Sequence, residues 1–244
     1  MLDDLERPVV GEPWPAFLRS WRQRWQPGEH VALIGPTGVG KSTLAAQLVG
    51  HRKYVLALDP KGGDSTLGKL EAHGFERCAQ WPPPKRILEN IAKREPARLI
   101  IGIPVRVKAD REKLKRLFAA TLEGAHEMGG WTIYADELQI MCDPRMMNLT
   151  AQVEAILIAA RDRGVSLVSS YQRPARVPRT ASDQASHLFA WYTRDDDVVK
   201  RIAEMMGRPK AEVRGTVAGL DEYGVLGVSR NAREPMRLTF PPPM

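Results

Sequence analysis

The sequence predicts an α/β fold in which a mostly parallel β-sheet lies between helices. Five short apolar runs, mostly near-continuous and β-branched, have the pattern of strands buried on both faces of a parallel sheet. These runs are His30–Gly35, Tyr54–Asp59, Leu99–Ile103, Trp131–Asp136 and Val165–Tyr171. The helical patterns that separate several of them are Lys41–Gly50, Ala109–Met128 and Leu149–Arg161. Because strands and helices alternate along the chain, an α/β sandwich is expected.

The composition fits one globular unit. The chain has 244 residues, of which 43% are hydrophobic and 27% charged. This length is enough for one sizeable core and too short for two domains of ordinary size. The net charge of +7 suits a polyanionic partner, although it does not by itself identify one. Cys78 and Cys142 form no metal or disulfide pattern, and no apolar run approaches the roughly 20 residues needed to span a bilayer. We therefore expect a cytoplasmic protein without membrane insertion.

The chain divides into an arm and a main domain. The several prolines of residues 1–28 predict an irregular N-terminal arm, in which Ala16–Gln26 could form a short helix. Its three tryptophans either pack on the main domain or contact a neighbouring subunit; they are Trp14, Trp21 and Trp25. Residues 29–244 form the main domain, with a short C-terminal extension from about residue 195. The later predicted strands are Leu188–Thr193, Gly224–Ser229 and Met236–Phe240, with two short helices before the last two.

A phosphate-binding loop follows the first predicted strand. Residues 35–42 match the pattern GxxxxGK[ST] at every fixed position, with a strand before and a helix after. Glycines let successive backbone N–H groups face phosphate oxygens, and the helix presents its positive end to the same anion. Lys41 can reach the β- and γ-phosphates of ATP, and Ser42 can bind Mg²⁺. The predicted nucleotide-binding residues are Gly35, Pro36, Thr37, Gly38, Val39, Gly40, Lys41, Ser42 and Thr43.

A second part of the site lies at the end of the strand Trp131–Asp136. Asp136 is predicted to hold Mg²⁺ through its water shell. Glu137 is predicted to project toward the γ-phosphate and polarise the attacking water. Such an acid distinguishes NTPases that hydrolyse by themselves from GTPase-type switches, so a RecA-like P-loop NTPase of the ASCE type is expected. Gln172, at the tip of the next strand, can sense the γ-phosphate and the water.

Four segments together resemble the FtsK/HerA superfamily of DNA-pumping ATPases, over roughly residues 28–195. The segments are the phosphate loop, Asp59-Pro60-Lys61-Gly62, Asp136-Glu137, and Arg161-Asp162-Arg163-Gly164 leading to Gln172-Arg173-Pro174. The resemblance implies a homo-oligomeric ring, a hexamer or pentamer, with ATP sites between subunits and double-stranded DNA in the central channel. It also implies that Arg161, eleven residues before Gln172, enters the neighbour's ATP site, with Arg163 as the rival candidate. Both arginines could instead cap a helix.

The expected function follows from this resemblance and from the small size of the chain. The sequence contains no membrane segment, no recognisable winged-helix module and no N-terminal barrel like that of HerA. We therefore expect an ATP-driven double-stranded DNA translocase for viral genome packaging, with a viral portal or other DNA-channel protein as a candidate partner. The alternatives are a helicase-like repair or conjugation ATPase of the same superfamily, and a nucleotide-dependent assembly or adaptor protein without motor activity.

DNA contacts are expected from cations, because phosphates are present whatever the base sequence. Two loops are candidates, one after Asp136-Glu137 and one after Gln172, and both leave the carboxyl edge of the predicted sheet or its neighbourhood. The helix over residues 108–116 is a further basic stretch, which a solvated helix face would equally explain. The arginines predicted to contact DNA are Arg145, Arg173, Arg176 and Arg179. The last three, in the loop after Gln172, could equally contact a neighbouring subunit.

Overall fold

The computed structural model describes residues 10–12, 14–63, 65–221, 224–229 and 236–239, and these form one sheet covered by helices on both faces. The strands are β1 (Val10–Glu12), β2 (His30–Ile34), β3 (Tyr54–Leu58), β4 (Glu76–Cys78), β5 (Ala97–Ile101), β6 (Thr132–Ala135), β7 (Ser166–Tyr171), β8 (Ala185–Trp191), β9 (Gly224–Ser229) and β10 (Met236–Thr239). The helices are α1 (Trp14–Arg24), α2 (Lys41–Val49), α3 (Ser65–Gly68), α4 (Lys85–Ala92), α5 (Lys108–Met128), α6 (Leu138–Cys142), α7 (Thr150–Arg163), α8 (Arg179–Asp183), α9 (Asp196–Met206) and α10 (Lys210–Ala218). Short 3-10 turns occupy Lys69–His73 and Pro174–Arg176.

The sheet is mostly parallel, as the sequence predicts. Among the described residues its strand order is β1-β10-β9-β8-β2-β7-β6-β3-β5-β4. Neighbouring strands run parallel from β8 through to β4, whereas β9 is antiparallel to both β8 and β10. The five predicted apolar runs and the later predicted strand Leu188–Thr193 each overlap a strand of the parallel part. The strand predicted at 236–240 is confirmed as far as Thr239. Phe240 lies outside the described residues.

Two apolar layers, one on each face of the sheet, explain why the strands lack an alternating pattern. On one face, Leu114 and Phe118 of α5 and Val153 of α7 are buried against the sheet. On the other face, α1 and α2 cover the sheet, with Leu44 and Leu48 of α2 fully buried. All five residues of β2 are buried, because helices cover both of its faces. None of the described helices has the length and apolar character needed to cross a bilayer.

The arm is more regular than its prolines suggest. Its helix α1 packs on the sheet, where Trp21 lies 5.5 Å from Phe189 of β8 and 5.3 Å from Trp25, between ring centroids. Trp21 and Trp25 are buried, so both tryptophans pack on the main domain of their own chain. The side chain of Trp14 lies outside the described residues. Strand β1 was not predicted, because three residues are too few to show a periodic pattern.

The segment between β3 and β5 holds a second strand that the pattern did not predict. Strand β4 is an edge strand, beside β5 at the end of the sheet opposite β1. Glu76 and Arg77 are exposed and only Cys78 is buried, so the strand lacks the continuous apolar run of its parallel neighbours. An edge strand of this kind is recognised from its pairing and not from its composition.

Candidate active site

The phosphate loop connects β2 to α2 at the carboxyl edge of the sheet. Gly40 precedes α2 with φ of 97°, a left-handed conformation that a residue with a side chain rarely adopts. Lys41 begins the helix, and its Nζ donates hydrogen bonds to Gly35 O (2.8 Å) and Pro36 O (2.5 Å). The ammonium group therefore lies inside the curl of the loop, where a bound anion would also meet the N-terminal end of α2.

The charge of Lys41 is set by opposing effects. Burial lowers the pKa of Lys41, since the side chain is only 7% exposed and the ammonium group loses hydration. The carboxylates of Glu137 and Asp136 oppose this shift by stabilising the charged form, and the ammonium group of Lys61 adds to the lowering. The lysine of the loop thus lies in the field of two acids and a second lysine, which is a setting suited to a polyvalent anion and a cation.

Asp136 and Ser42 form an oxygen-donor pair suited to Mg²⁺. Ser42 Oγ, in the first turn of α2, lies 3.3 Å from Asp136 Oδ1, just past the end of β6. Tyr134 OH also donates to Asp136 Oδ1, at 2.9 Å, and fixes the orientation of this buried carboxylate. No group of three or more His, Cys, Asp or Glu residues within the described ranges could hold a metal. Magnesium at phosphate sites takes only one or two protein ligands, with phosphate and water oxygens completing the octahedron, so this pair fits it.

Glu137 is held in a defined direction by two amides. It precedes α6 with φ of 60° and ψ of 56°, an uncommon left-handed conformation for a residue with a side chain. Gln172 Nε2 donates to Glu137 Oε1 at 3.3 Å, and Gln139 Nε2 donates to Glu137 Oε2 at 3.0 Å. Each carboxylate oxygen therefore has its own donor. The side chain is fixed close to the phosphate loop, where a general base for an attacking water would have to lie.

The strand order explains why residues distant in sequence meet here. Strand β7 lies between β2 and β6, and all three are parallel, so their carboxyl ends open on the same edge. Gln172, just after β7, thereby lies between the phosphate loop and Glu137. The structure brings together Lys41, Ser42, Asp136, Glu137 and Gln172, the five side chains predicted from the ends of β2, β6 and β7.

A cavity of about 300 Å³ at this edge includes two lysines that the sequence analysis did not assign. Lys61 lies in the turn after β3, and Lys69 lies in the 3-10 turn that follows α3. The position of Lys61 in the turn at the carboxyl end of a parallel strand was a signal that could have identified it. Lys69 carries no such signal. The residues lining the cavity are Thr37, Gly38, Gly40, Lys41, Ser42, Thr43, Lys61, Lys69, Asp136 and Glu137.

The two arginines predicted as candidates for a neighbouring subunit's ATP site differ in their hydrogen bonding. Arg163 Nη1 donates to Glu127 O at 3.2 Å, which ties it to the C-terminal end of α5 in the same chain. Arg161, in the last turn of α7, is exposed to solvent. Among the described residues, Arg161 does not line the cavity of its own subunit. Arg163 is also exposed and also absent from the lining of this cavity.

The four predicted DNA-contacting arginines are all exposed. Arg145 lies between α6 and α7, where its backbone N–H donates to Asp143 Oδ1 at 2.7 Å. Arg173 follows Gln172 directly, and Arg176 ends the 3-10 turn. Arg179 pairs with Asp183 at 3.3 Å, but its side chain remains 77% exposed, so water screens this ion pair strongly. All four therefore present positive charge to solvent after the strands that carry Glu137 and Gln172.

Comparison with known proteins places this fold among P-loop NTPases. The genome packaging NTPase B204 from Sulfolobus turreted icosahedral virus 2, solved with AMPPCP, is 20% identical over 88% of this chain and 98% of that chain, with a TM-score of 0.60. The DNA-packaging ATPase B204 from Sulfolobus Turreted Icosahedral Virus is 19% identical over 89% of this chain and 99% of that chain, with a TM-score of 0.59. VirB4 of Thermoanaerobacter pseudethanolicus is 12% identical over 87% of this chain and 90% of that chain, also with a TM-score of 0.60.

Sequence similarity is more limited. The thiamine import ATP-binding protein ThiQ of Yersinia pestis is 40% identical over 67 residues, which is 28% of this chain and a quarter (25%) of that relative. No protein-family model matches the sequence. The comparisons therefore agree on a P-loop NTPase fold, and the residues of the site carry the functional argument.

Proposed function

We propose that this chain is an ATPase whose catalytic site lies at the carboxyl edge of β2, β7 and β6. Lys41 and the N-terminal end of α2 bind the phosphates, and Ser42 with Asp136 hold Mg²⁺. The metal supplies neutralisation of charge on the phosphate oxygens. Glu137 accepts the proton of the attacking water, and Gln172 orients Glu137 and the water. One observation carries the proposal: Glu137 has a separate amide donor on each carboxylate oxygen and lies on the same cavity as Lys41.

We further propose that hydrolysis drives movement along double-stranded DNA, for viral genome packaging. The packaging NTPases of two Sulfolobus viruses share the fold over nearly their whole length, which supports this choice. The net charge of +7 and the four exposed arginines near the site provide cations for a backbone that is the same for every base sequence. A portal or other DNA-channel protein would then receive the DNA.

We also propose that the protein forms a ring, which the position of Arg161 supports. Its exposed side chain, outside the cavity of its own subunit, supports a role in the site of a neighbour, in a hexamer or pentamer. In that site it would stabilise charge that develops on the transferred phosphoryl group. A monomer would then bind ATP through Lys41 but hydrolyse it slowly.

The rate of ATP hydrolysis with and without double-stranded DNA, measured alongside the mass of the protein in solution with ATP, tests this proposal. We expect hydrolysis that DNA stimulates and a mass several times that of one chain. Negligible turnover with DNA present would favour the assembly or adaptor protein. A helicase-like repair or conjugation ATPase is the second candidate. Strand displacement on a forked DNA would identify a helicase-like motor.

A further inference from the structure

We propose that Lys61 is a second phosphate-binding lysine, which contacts the terminal phosphate of a nucleoside triphosphate and so distinguishes triphosphate from diphosphate. This inference rests on the proposed nucleotide site. It adds a residue outside the phosphate loop that determines specificity. Three observations carry it: a buried carboxylate that fixes the turn, a close backbone contact that excludes other conformations, and the position of β3 in the sheet.

A buried carboxylate organises the turn that carries Lys61. Asp59, immediately after β3, is fully buried. Its Oδ1 accepts the backbone N–H groups of Lys61 (3.2 Å) and Gly62 (2.9 Å), and its Oδ2 accepts that of Gly63 (2.8 Å). Arg77 Nη1 of β4 lies 3.5 Å from the same Oδ2. Three consecutive N–H groups are thus tied to one carboxylate, which holds the backbone of Lys61 in one conformation.

Gly62 allows the turn to pack closely against the backbone of a neighbouring segment. Its φ is 70°, and a Cβ added there would lie 2.3 Å from Ile103 O and 2.8 Å from Val105 N. These are backbone atoms of the segment that follows β5, so they cannot move aside as the end of a flexible side chain could. The turn is therefore packed against the neighbouring chain segment on one side, and Lys61 projects from it into the cavity that Lys41, Asp136 and Glu137 also line.

The strand order indicates which phosphate Lys61 would meet. Strand β3 lies beside β6, on the side away from β7 and β2. Lys61, which follows β3, therefore lines the cavity on the side of the sheet where β6 carries Asp136 and Glu137 at its end. The triphosphate chain is anchored at the loop, and its γ-phosphate must face Glu137 for hydrolysis. The phosphate nearest to Lys61 is therefore the terminal one.

The charges in the cavity agree with this assignment. Lys61 and Lys41 line the same cavity, which places the two ammonium groups at one site. The γ-phosphate of ATP adds negative charge that ADP lacks, and two ammonium groups at this cavity stabilise that charge better than one. Lys69 also lines the cavity, but it lies in a 3-10 turn outside the turn fixed by Asp59. We therefore assign the discrimination to Lys61.

The test compares two nucleotides on the full chain. Affinities for AMPPCP and ADP with Mg²⁺ are measured by calorimetry for the native protein and for Lys61→Ala. Because a charge-assisted hydrogen bond is lost, the affinity for AMPPCP should fall about 10-fold or more, while that for ADP changes less than about twofold. Lys61 is exposed, so its replacement does not endanger folding. The matched control is Lys85→Ala, which removes a 91% exposed lysine of α4 and should change neither affinity.

Three results would overturn the inference. If Lys61→Ala loses affinity for AMPPCP and for ADP by the same factor, Lys61 contributes only general positive charge. If it loses affinity for neither nucleotide, Lys61 is not part of the site. A selective loss in Lys69→Ala instead of Lys61→Ala would transfer the role to Lys69. If the native protein binds neither nucleotide, the proposed function itself fails. If the native protein binds both nucleotides and Lys61→Ala keeps the native ratio of the two affinities, only the inference about Lys61 fails.

Discussion

Gln172 Nε2 donates a hydrogen bond of 3.3 Å to Glu137 Oε1, across the ends of the adjacent parallel strands β7 and β6. This bond connects the residue proposed to sense the γ-phosphate with the residue proposed to accept the proton of water. Gln139 holds the other oxygen of the same carboxylate at 3.0 Å. The direction of Glu137 is thus set by groups from two elements, and removing either should affect hydrolysis more than binding.

The first prediction separates the base from its positioning residue. Glu137→Gln should bind ATP with native affinity and hydrolyse it at least about 100-fold more slowly, because shape survives while the proton acceptor is lost. Gln139→Ala should lower kcat by a smaller factor with little effect on affinity, because Gln172 still holds the carboxylate. For both variants, single-turnover assays give the rate of hydrolysis, and equilibrium binding gives the nucleotide affinity. Native turnover in Glu137→Gln would remove it from the role of base.

The second prediction concerns Arg161 in the neighbouring site. Arginine fingers contribute roughly 10³–10⁵ in rate, so Arg161→Ala should nearly abolish turnover and keep nucleotide affinity. Lys41→Ala should abolish tight ATP binding. Mixed rings of the two variants contain interfaces with an intact Lys41 on one side and an intact Arg161 on the other, so the mixture should regain activity.

The control for this mixing is Arg163→Ala, whose native side chain donates to Glu127 O within its own chain. It should lose thermal stability and keep most of its turnover. If Arg161→Ala and Lys41→Ala co-assemble without regaining activity, the site is contained within one subunit, or Arg163 is the arginine in question.

Much of this site follows from the sequence, because its residues stand at the ends of strongly apolar strands. The phosphate-loop motif predicts the place of Lys41. A phosphate loop also requires an acidic partner at the end of another strand of the sheet, which predicts the places of Asp136 and Glu137. The hydrogen bonds that Asp59 accepts could not be predicted, because they depend on backbone directions in the turn from Asp59 to Gly63. The polar edge strand β4 and the three-residue β1 were also missed, since pairing with a neighbour and not apolar periodicity defines them.

The third prediction concerns DNA binding. Neutralising Arg173, Arg176 and Arg179 together should reduce the dependence of log affinity on log salt by up to about three phosphate contacts, each worth roughly 0.9 in slope. Binding should also be insensitive to base sequence. Fluorescence anisotropy of labelled duplexes between low and moderate salt measures both.

A matched triple variant controls for net charge, which falls equally in both proteins. It replaces exposed cations in and just after α4, namely Lys85, Lys93 and Arg94. The slope of this control should stay native. An equal decrease in both variants would mean that the arginines after Gln172 act only through overall charge.

The fourth prediction concerns pH. Burial lowers the pKa of His30 to about 4, the Leu157 carbonyl opposes this shift, and the charge of Arg161 adds to it. The unfolded chain binds the proton at the ordinary pKa of about 6.5, so the contribution of neutral His30 is complete above pH 6.5 and is lost as pH falls toward 4. The free energy of unfolding should therefore decrease by about 2 kcal/mol between pH 7.5 and 5 from this group.

His30→Gln provides the comparison, because an amide can still donate toward Leu157 O and accept from Leu167 N, the two partners of the imidazole. Urea unfolding at both pH values should show a smaller decrease in the variant. His187, whose pKa burial also lowers, remains in both proteins and contributes equally. The same decrease in both proteins would show that His30 does not titrate in this range.

The central claim is that ATP hydrolysis at this site moves the protein along double-stranded DNA. Displacement of a third strand annealed to one end of a duplex tests it most directly, because a translocating protein removes that strand without unwinding the duplex. We predict displacement that requires ATP, is independent of the sequence of the intervening duplex and is delayed in proportion to its length. Glu137→Gln should bind the same DNA and displace nothing. ATP hydrolysis by the native protein on this DNA without displacement of the third strand would contradict the claim.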